Sequence, residues 1–151
     1  MRFTIDTNIL VYAVDTQAGD RHRTALDVLA RARGRDCVLT VQVLGELFRA
    51  LTGRHKVPAS HAAAMVQAWR DALPVVAADD QCLVDAMDAV TAHNWSFWDA
   101  MIWATAKRAG CRVLITEDGQ DGRTLGGVTL VNPFAPVPSP LLLAVLDGPK
   151  P

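Results

Sequence analysis

Several residue types that mark particular protein classes are scarce in this chain of 151 residues. It has three cysteines, no CxxC pair or Cys/His zinc spacing, and no apolar run near the roughly 18–20 residues that a membrane span needs. Fifteen Lys and Arg residues stand against sixteen Asp and Glu residues, which gives a formal net charge of −1. These absences exclude a cysteine-based zinc domain, an integral membrane protein and a polybasic binding protein.

The few cysteines and the N-terminal segment predict a reducing environment. Cys37, Cys82 and Cys111 are odd in number, far apart and set among apolar neighbours, which favours buried free thiols. Asp6 interrupts the first apolar residues before a signal-peptide core could form. We therefore expect a cytoplasmic protein.

Short β-rich runs alternate with segments of helical periodicity along most of the chain. Strands are predicted at residues 2–5, 37–41, 74–77, 111–116 and 128–131, with a glycine-rich loop over residues 119–127. Helices are predicted near residues 21–33, 42–52, 60–72, 80–93 and 96–108, and residues 9–14 could be helix or strand, with a short helix preferred. This alternation predicts an α/β fold built of parallel β-α-β units, with ligands at the carboxyl ends of the strands.

The C-terminal segment differs in composition from the rest. Residues 133–151 hold six of the eight prolines and one apolar stretch, residues 141–146. That stretch could be a docking segment or a short helix packed back on the core, and the sequence leaves both open. We predict one domain over residues 1–134 and a proline-rich extension over residues 135–151.

Glutamate is rare among the acids, and four acidic positions share one predicted location. Fourteen of the sixteen acids are Asp. Asp6 and Asp118 end predicted strands, Glu46 lies on the helix after the second strand, and Asp99 starts a helix, so all four fall at one edge of a parallel sheet. Converging carboxylates repel one another unless a cation neutralises them. Oxygen ligands favour Mg²⁺ or Mn²⁺, which suit phosphate chemistry.

Each acid also has a structural interpretation. Asp6 could cap a helix or open a turn, Asp118 could open a turn, and Glu46 could be a solvated helix residue. Asp99 follows Ser96 by three positions, a spacing close to a capping box. Helix capping and metal binding by Asp99 are compatible, because the start of a capped helix also presents its backbone N–H donors to an anionic phosphate.

Taken together, five fragments resemble the PIN domain, specifically the VapC-type toxin of a bacterial toxin–antitoxin pair. The resemblance covers about residues 1–134 and rests on FTIDTN (3–8), QVLGE (42–46), FWDA (97–100), LITED (114–118) and VNPF (131–134). It implies a three-layer α/β/α fold with a central, mostly parallel sheet flanked by helices. It also implies an endoribonuclease that depends on Mg²⁺ or Mn²⁺. Hydrolysis by a metal-bound water should leave 5′-phosphate and 3′-hydroxyl ends.

The same resemblance implies a set of site residues. The family's acidic quartet corresponds to Asp6, Glu46, Asp99 and Asp118, which would hold the metal and carry catalysis. The polar residues that would support them are Thr7, Asn8 and Thr116. Two further acids near Asp118 could share or take the fourth acidic position; these are Glu117 and Asp121.

Partners follow from the resemblance and from the charge pattern. The family usually forms homodimers and binds an antitoxin protein in a groove near the active site. RNA phosphates could be held by three cations beyond Glu46, although a solvated helix end is the favoured interpretation; these are Arg49, Arg54 and Lys56. Three tryptophans crowd residues 95–103 and could stack on bases, although packing is the favoured interpretation.

Two other functions remain as alternatives. A PIN fold could act only as a binding module without catalysis, and it would then be expected to lack one of the first three acids. A Mg²⁺-dependent phosphatase of the haloacid dehalogenase type needs a second Asp two residues after Asp6, and Asn8 stands there. Asp6, Glu46 and Asp99 are all present and the second Asp is not, so the ribonuclease hypothesis is preferred.

Overall fold

A six-stranded sheet forms the centre of the molecule in the computed structural model, which describes residues 1–148. Its strand order is β3-β2-β1-β4-β6-β5. The strands are β1 (Phe3–Ile5), β2 (Cys37–Thr40), β3 (Val75–Val76), β4 (Val113–Ile115), β5 (Thr124–Leu125) and β6 (Val128–Val131). All neighbouring pairs are parallel except β5 with β6, so the prediction of a mostly parallel sheet is confirmed.

Helices connect the strands and cover the sheet. They are α1 (Thr7–Val14), α2 (Asp20–Ala32), α3 (Val41–Gly53), α4 (Ala59–Ala72), α5 (Asp80–His93), α6 (Phe97–Arg108) and α7 (Pro140–Asp147), with one turn of 3-10 helix at Thr16–Ala18. Helix α1 packs on α2 and α3, α3 packs on α4, and α5 packs on α6. The predicted α/β architecture, a sheet flanked by helices, is confirmed.

The central strands are apolar because both of their faces are covered. Strand β1 pairs with β2 on one side and β4 on the other, and Thr4 lies opposite Val38 and Leu114. Every residue of β1, β2 and β4 is buried. Continuous apolar runs of this kind are typical of a parallel sheet with helices on both faces.

The carboxyl ends of these strands pass directly into helices. Asp6 follows β1 and caps α1, since its side chain accepts a hydrogen bond from the Thr7 backbone N–H. Thr40 ends β2 and caps α3 in the same way, through the Val43 N–H at 3.1 Å. The N-termini of α1 and α3 therefore meet at one edge of the sheet, next to the end of β4.

The C-terminal segment folds back as a helix. Ser139 caps α7, Leu142, Val145 and Leu146 are buried, and α7 packs against α2. Arg31 of α2 joins Asp147 at 2.6 Å. Of the two possibilities that the sequence left open, the structure shows the packed helix; residues 149–151 of the predicted extension lie outside the described residues, and the boundary at residue 134 stays a prediction.

Other sequence predictions have mixed outcomes. All three cysteines are free and buried, as predicted. The glycine-rich loop at residues 119–127 was predicted without regular structure, but it contains β5, which turns back on β6 through Gly126 and Gly127, both at positive φ. Among residues 1–148, none of the helices is long and apolar enough to cross a lipid bilayer.

Candidate active site

Four carboxylates line one groove at the carboxyl edge of the sheet. The groove has a volume of about 670 Å³ and runs between α1, α3 and the start of α6. Asp6, Glu46, Asp99 and Asp118 all line it, together with Thr7 and Asn8. These residues are separated by up to 112 positions in the chain, so the topology brings together the four acids that the sequence singled out.

Asp6 is the most buried of the four. Its Oδ1 atom accepts the Thr7 N–H at 2.6 Å, and its Oδ2 atom accepts the Thr116 hydroxyl at 2.8 Å. The pKa of Asp6 is raised from its ordinary 3.8 to about 7, mainly by burial and in part by the charges of Asp118 and Asp99, while the two hydrogen bonds oppose the rise. The carboxylate is thus held in place by neutral donors.

Glu46 is fixed by two donors from different helices. The Thr7 hydroxyl donates to Oε2 at 2.7 Å, and the Gln42 side-chain amide donates to Oε1 at 2.6 Å. The same amide nitrogen donates to the Trp98 carbonyl oxygen at 2.9 Å, which links α3 to α6. Gln42 was quoted in the sequence fragment but given no role, although its position four residues before Glu46 was the signal that could have found it.

Asp99 and Asp118 complete the group from the opposite wall. Burial raises the pKa of Asp99, the charges of Asp118 and Glu46 add to the effect, and the Ser96 hydroxyl opposes it. Asp118 is exposed and accepts the Asn8 side-chain amide at 3.0 Å, while its backbone N–H donates to the Thr116 hydroxyl at 3.0 Å. Thr116 therefore connects Asp6 with the segment that carries Asp118.

Among the described residues, no cationic side chain forms an ion pair with these carboxylates. None of the seven ion pairs found within residues 1–148 includes any of the four. In the same range, no three acidic, histidine or cysteine side chains stand close enough to form a ready-made metal cage. The donor set, carboxylate oxygens with raised pKa values at Asp6 and Asp99, nevertheless fits a hard divalent cation, since such a cation would relieve their mutual repulsion.

The family model of the PIN domain matches residues 3–121, which is most of the chain. The chain belongs to the PIN domain family. The match spans the N-terminal strand, the four acids and their supporting residues, and it ends before β5, β6 and α7. No curated protein sequence matches this PIN domain significantly.

Solved structures resemble this PIN domain in fold at low sequence identity. The Mycobacterium tuberculosis toxin VapC20, described as cleaving the sarcin-ricin loop, is 24% identical, with 78% of this chain and 91% of that chain covered and a TM-score of 0.63. A toxin–antitoxin complex from Klebsiella pneumoniae is 21% identical, with 87% and 97% covered and a TM-score of 0.63. VapBC2 from Rickettsia felis, bound to promoter DNA, is 16% identical, with 86% and 97% covered and the same TM-score.

The two acids proposed as substitutes for Asp118 make other contacts in this PIN domain. Glu117 accepts the Tyr12 hydroxyl at 2.5 Å and pairs with Arg21. Asp121 accepts the Asn132 backbone N–H at 2.8 Å. Neither lines the groove, whereas Asp118 does.

The predicted RNA-binding cations divide into two groups. Arg49 and Arg54 line the groove on the α3 side. Lys56 lies outside the groove lining, in the turn after α3, where its φ of 55° places it in the left-handed region.

The tryptophans differ in exposure. Trp103 is 4% exposed and part of the core, whereas Trp98 is 60% exposed and lies beside the groove.

Proposed function

We propose that this PIN domain is an endoribonuclease dependent on Mg²⁺ or Mn²⁺ and that it acts as the toxin of a toxin–antitoxin pair. The observation that carries the proposal is the convergence of four carboxylates on one groove, where no cationic side chain of residues 1–148 forms an ion pair with them. Burying uncompensated carboxylates costs stability, and the raised pKa values of Asp6 and Asp99 report that cost. Such an arrangement is typical of a site that is completed by a metal ion.

Asp6, Glu46, Asp99 and Asp118 would hold the ion. When bound, a divalent cation supplies an activated water nucleophile and offsets the charge that develops on the phosphate oxygens. Because the four side chains do not form a ready-made cage in the described residues, we expect the carboxylates and the scissile phosphate to complete the coordination together.

The neighbouring polar residues would keep these carboxylates oriented. Thr7 donates to two of the carboxylates, through its backbone N–H to Asp6 and through its hydroxyl to Glu46. Thr116 and Asn8 donate to Asp6 and Asp118 respectively. Hydrogen bonds of this kind fix ligand geometry and raise metal affinity, so the supporting roles proposed for Thr7, Asn8 and Thr116 have a physical basis.

RNA would lie along the groove with its phosphates near the α3 cations. Arg49 and Arg54 line the groove and can contact phosphate oxygens, which would position the strand without reading its bases. Apart from the four acids, the rest of the chain carries a formal charge of +3. A bound divalent cation would offset part of the negative charge of the acids and so reduce the repulsion of a polyanion.

The partner part of the proposal rests on structural relatives. Structures with this fold include toxin–antitoxin complexes from Klebsiella pneumoniae and Rickettsia felis. We propose that this chain likewise binds a cognate antitoxin and forms a homodimer in the cytoplasm. The groove beside the carboxylates, with Val11, Ala50 and the exposed Trp98 in its lining, is the surface proposed for the antitoxin.

The decisive experiment is cleavage of a labelled total-RNA pool by the antitoxin-free protein with Mg²⁺, with Mn²⁺ and with EDTA. Asp99→Asn tests the site, and Asp88→Asn on the exposed surface of α5 is the matched control. We expect discrete fragments with 5′-phosphate ends that need metal and disappear only in Asp99→Asn. Cleavage that survives EDTA or Asp99→Asn would overturn the proposal, and no cleavage of any RNA would favour the binding-module alternative.

A further inference from the structure

A second cavity opens on the other side of the carboxylates. It has a volume of about 240 Å³ and lies between the connection from α5 to α6 and the strands β4 and β6. Asp6, Asp99 and Asp118 form the wall that it shares with the metal-site groove. The rest of its lining consists of Asn94, Trp95, Ser96, Ile102, Leu114, Thr116, Gly119 and Leu130.

The chemistry of the lining is divided between apolar walls and a polar edge. Ile102, Leu114 and Leu130 are nearly completely buried, and their side chains present aliphatic surface to the cavity. Asn94 stands at the polar edge, where it is exposed to solvent. Aliphatic walls offer no ligand to a hydrated cation or a phosphate group. A planar ring with polar substituents on one edge matches both the aliphatic walls and the polar edge of the cavity.

Trp95 is held rigidly as part of this wall. Its ring meets Trp103 edge to face, with centroids 5.9 Å apart, and the Arg123 guanidinium lies 5.6 Å from its centroid. Trp103 is fixed in turn, because its Nε1–H donates to the Leu125 carbonyl oxygen at 3.0 Å. A wall whose position is set by packing costs little to order when a ligand binds.

We infer that this cavity binds one nucleobase of single-stranded RNA, next to the phosphodiester held at the carboxylates. The inference rests on the proposed function for the identity of the polymer. An unstacked base in a single strand can turn out of the strand and bury its face against aromatic and aliphatic side chains, while its edge takes hydrogen bonds. The Asn94 amide, which both donates and accepts, is the group that would meet that edge.

The first test measures binding without cleavage. The four nucleoside 5′-monophosphates and ribose 5-phosphate are titrated in Mg²⁺ while the Trp95 indole N–H resonance, assigned with Trp95→Phe, is followed by NMR. We expect at least one nucleotide to shift this resonance and ribose 5-phosphate to leave it unchanged. Equal shifts with ribose 5-phosphate, or no shift with any nucleotide, would overturn the inference.

Two variants change the cavity by different means. Leu114→Phe places a larger side chain in the cavity lining and so reduces the space for a ligand. It should weaken nucleotide binding about tenfold, which is the magnitude expected for losing one buried base. Leu26→Phe, on the exposed surface of α2, is the matched control. Asn94→Gly removes the amide and keeps the left-handed backbone, φ 54°, so it should alter which base is preferred even if Leu114→Phe proves unstable.

A cleavage assay separates failure of this inference from failure of the proposed function. A cleaved oligonucleotide is remade with one abasic site at each position around the cut. We expect a loss of cleavage rate at one position flanking the cut in the wild-type protein and a smaller loss at that position in Leu114→Phe. Efficient cleavage with no sensitive position would refute the base cavity alone, whereas base-dependent binding without any RNA cleavage would support the cavity and refute the proposed ribonuclease.

Discussion

The hydroxyl of Thr7 donates a 2.7 Å hydrogen bond to Glu46, a residue 39 positions later in the chain. Thr7 begins α1 and Glu46 lies in α3, so this contact fixes the two helices that form one side of the groove. Gln42 donates to the other carboxylate oxygen of Glu46 from one helical turn earlier. The orientation of Glu46 is therefore set by its own helix and by a second one.

Removing the Gln42 amide should weaken metal binding without unfolding the protein. Gln42→Ala leaves one oxygen of Glu46 without its donor, and loss of such a supporting hydrogen bond lowers metal affinity about tenfold. Titration calorimetry with Mn²⁺ measures the change. Gln67→Ala is the control, because Gln67 makes the same contact with Asp71 four residues on, on the exposed surface of α4. Equal Mn²⁺ affinities of the two variants would refute the role given to Gln42.

The buried Asp6 predicts that the metal-free protein loses stability as the pH rises. Its pKa is raised from 3.8 to about 7 in the folded state, so the folded protein binds the proton more tightly than the unfolded chain does. The contribution of protonated Asp6 to the free energy of unfolding is complete below about pH 4 and is lost as the pH rises through 7. Between pH 5 and pH 8 in EDTA we expect Tm to fall by about 5 °C or more from this group.

Thermal melts of wild-type protein and Asp6→Asn test this expectation. The variant cannot ionise at this position, so its Tm should depend less on pH over the same range. Adding Mg²⁺ or Mn²⁺ should raise the wild-type Tm more at pH 8 than at pH 5, because the ion binds the ionised carboxylate. Parallel pH curves for the two proteins in EDTA would show that Asp6 is not the group responsible.

Glu117 and Asp118 are neighbours, and the contacts of their side chains predict different phenotypes. Glu117 binds Tyr12 and Arg21, and the Arg21 guanidinium also lies 5.1 Å from the Phe134 ring centroid. Glu117→Gln keeps a partner for the Tyr12 hydroxyl and loses the ion pair. We expect it to lower the free energy of unfolding by at most about 1 kcal/mol and to leave Mn²⁺ affinity unchanged.

Asp118→Asn is the opposite case, because Asp118 lines the groove and contributes to the raised pKa of Asp6 and Asp99. We expect this variant to lose Mn²⁺ affinity and RNA cleavage while keeping its stability. Denaturant unfolding and calorimetry on both variants provide the comparison. A larger loss of Mn²⁺ affinity in Glu117→Gln than in Asp118→Asn would identify Glu117 as the fourth ligand instead.

Arg54 should contribute to RNA binding through phosphate contacts. Arg54→Ala in the Asp99→Asn background is expected to weaken binding and to reduce the slope of log affinity against log salt by about one unit. Arg70→Ala, on the exposed surface of α4, is the control. The double variant with Lys56→Ala tests the third predicted cation, which lies outside the groove lining. An unchanged salt slope in Arg54→Ala would exclude this phosphate contact.

Much of the fold could be predicted from the sequence because it depends on local patterns. Short apolar strands alternating with amphipathic helices require a parallel sheet, and a parallel sheet places all its strand ends at one edge. Asp6, Asp99 and Asp118 each stand at the end of a strand or the start of a helix, so their common location followed without knowledge of any distance. The fragments around them also identified the family that the sequence model matches.

Other features depended on contacts between distant parts of the chain. The sequence could not separate Glu117 from Asp118, because both follow the same strand. In the structure Glu117 contacts Tyr12 and Arg21, about 100 residues earlier, and the assignment of Asp118 as the fourth acidic ligand stays a prediction. The conformation of residues 141–146 was equally open until α2 provided the surface on which α7 packs. Local periodicity therefore determined the strands, the helices and the edge that carries the acids, whereas the direction of each side chain and the cavity beside Trp95 were decided by tertiary packing, which no local pattern encodes.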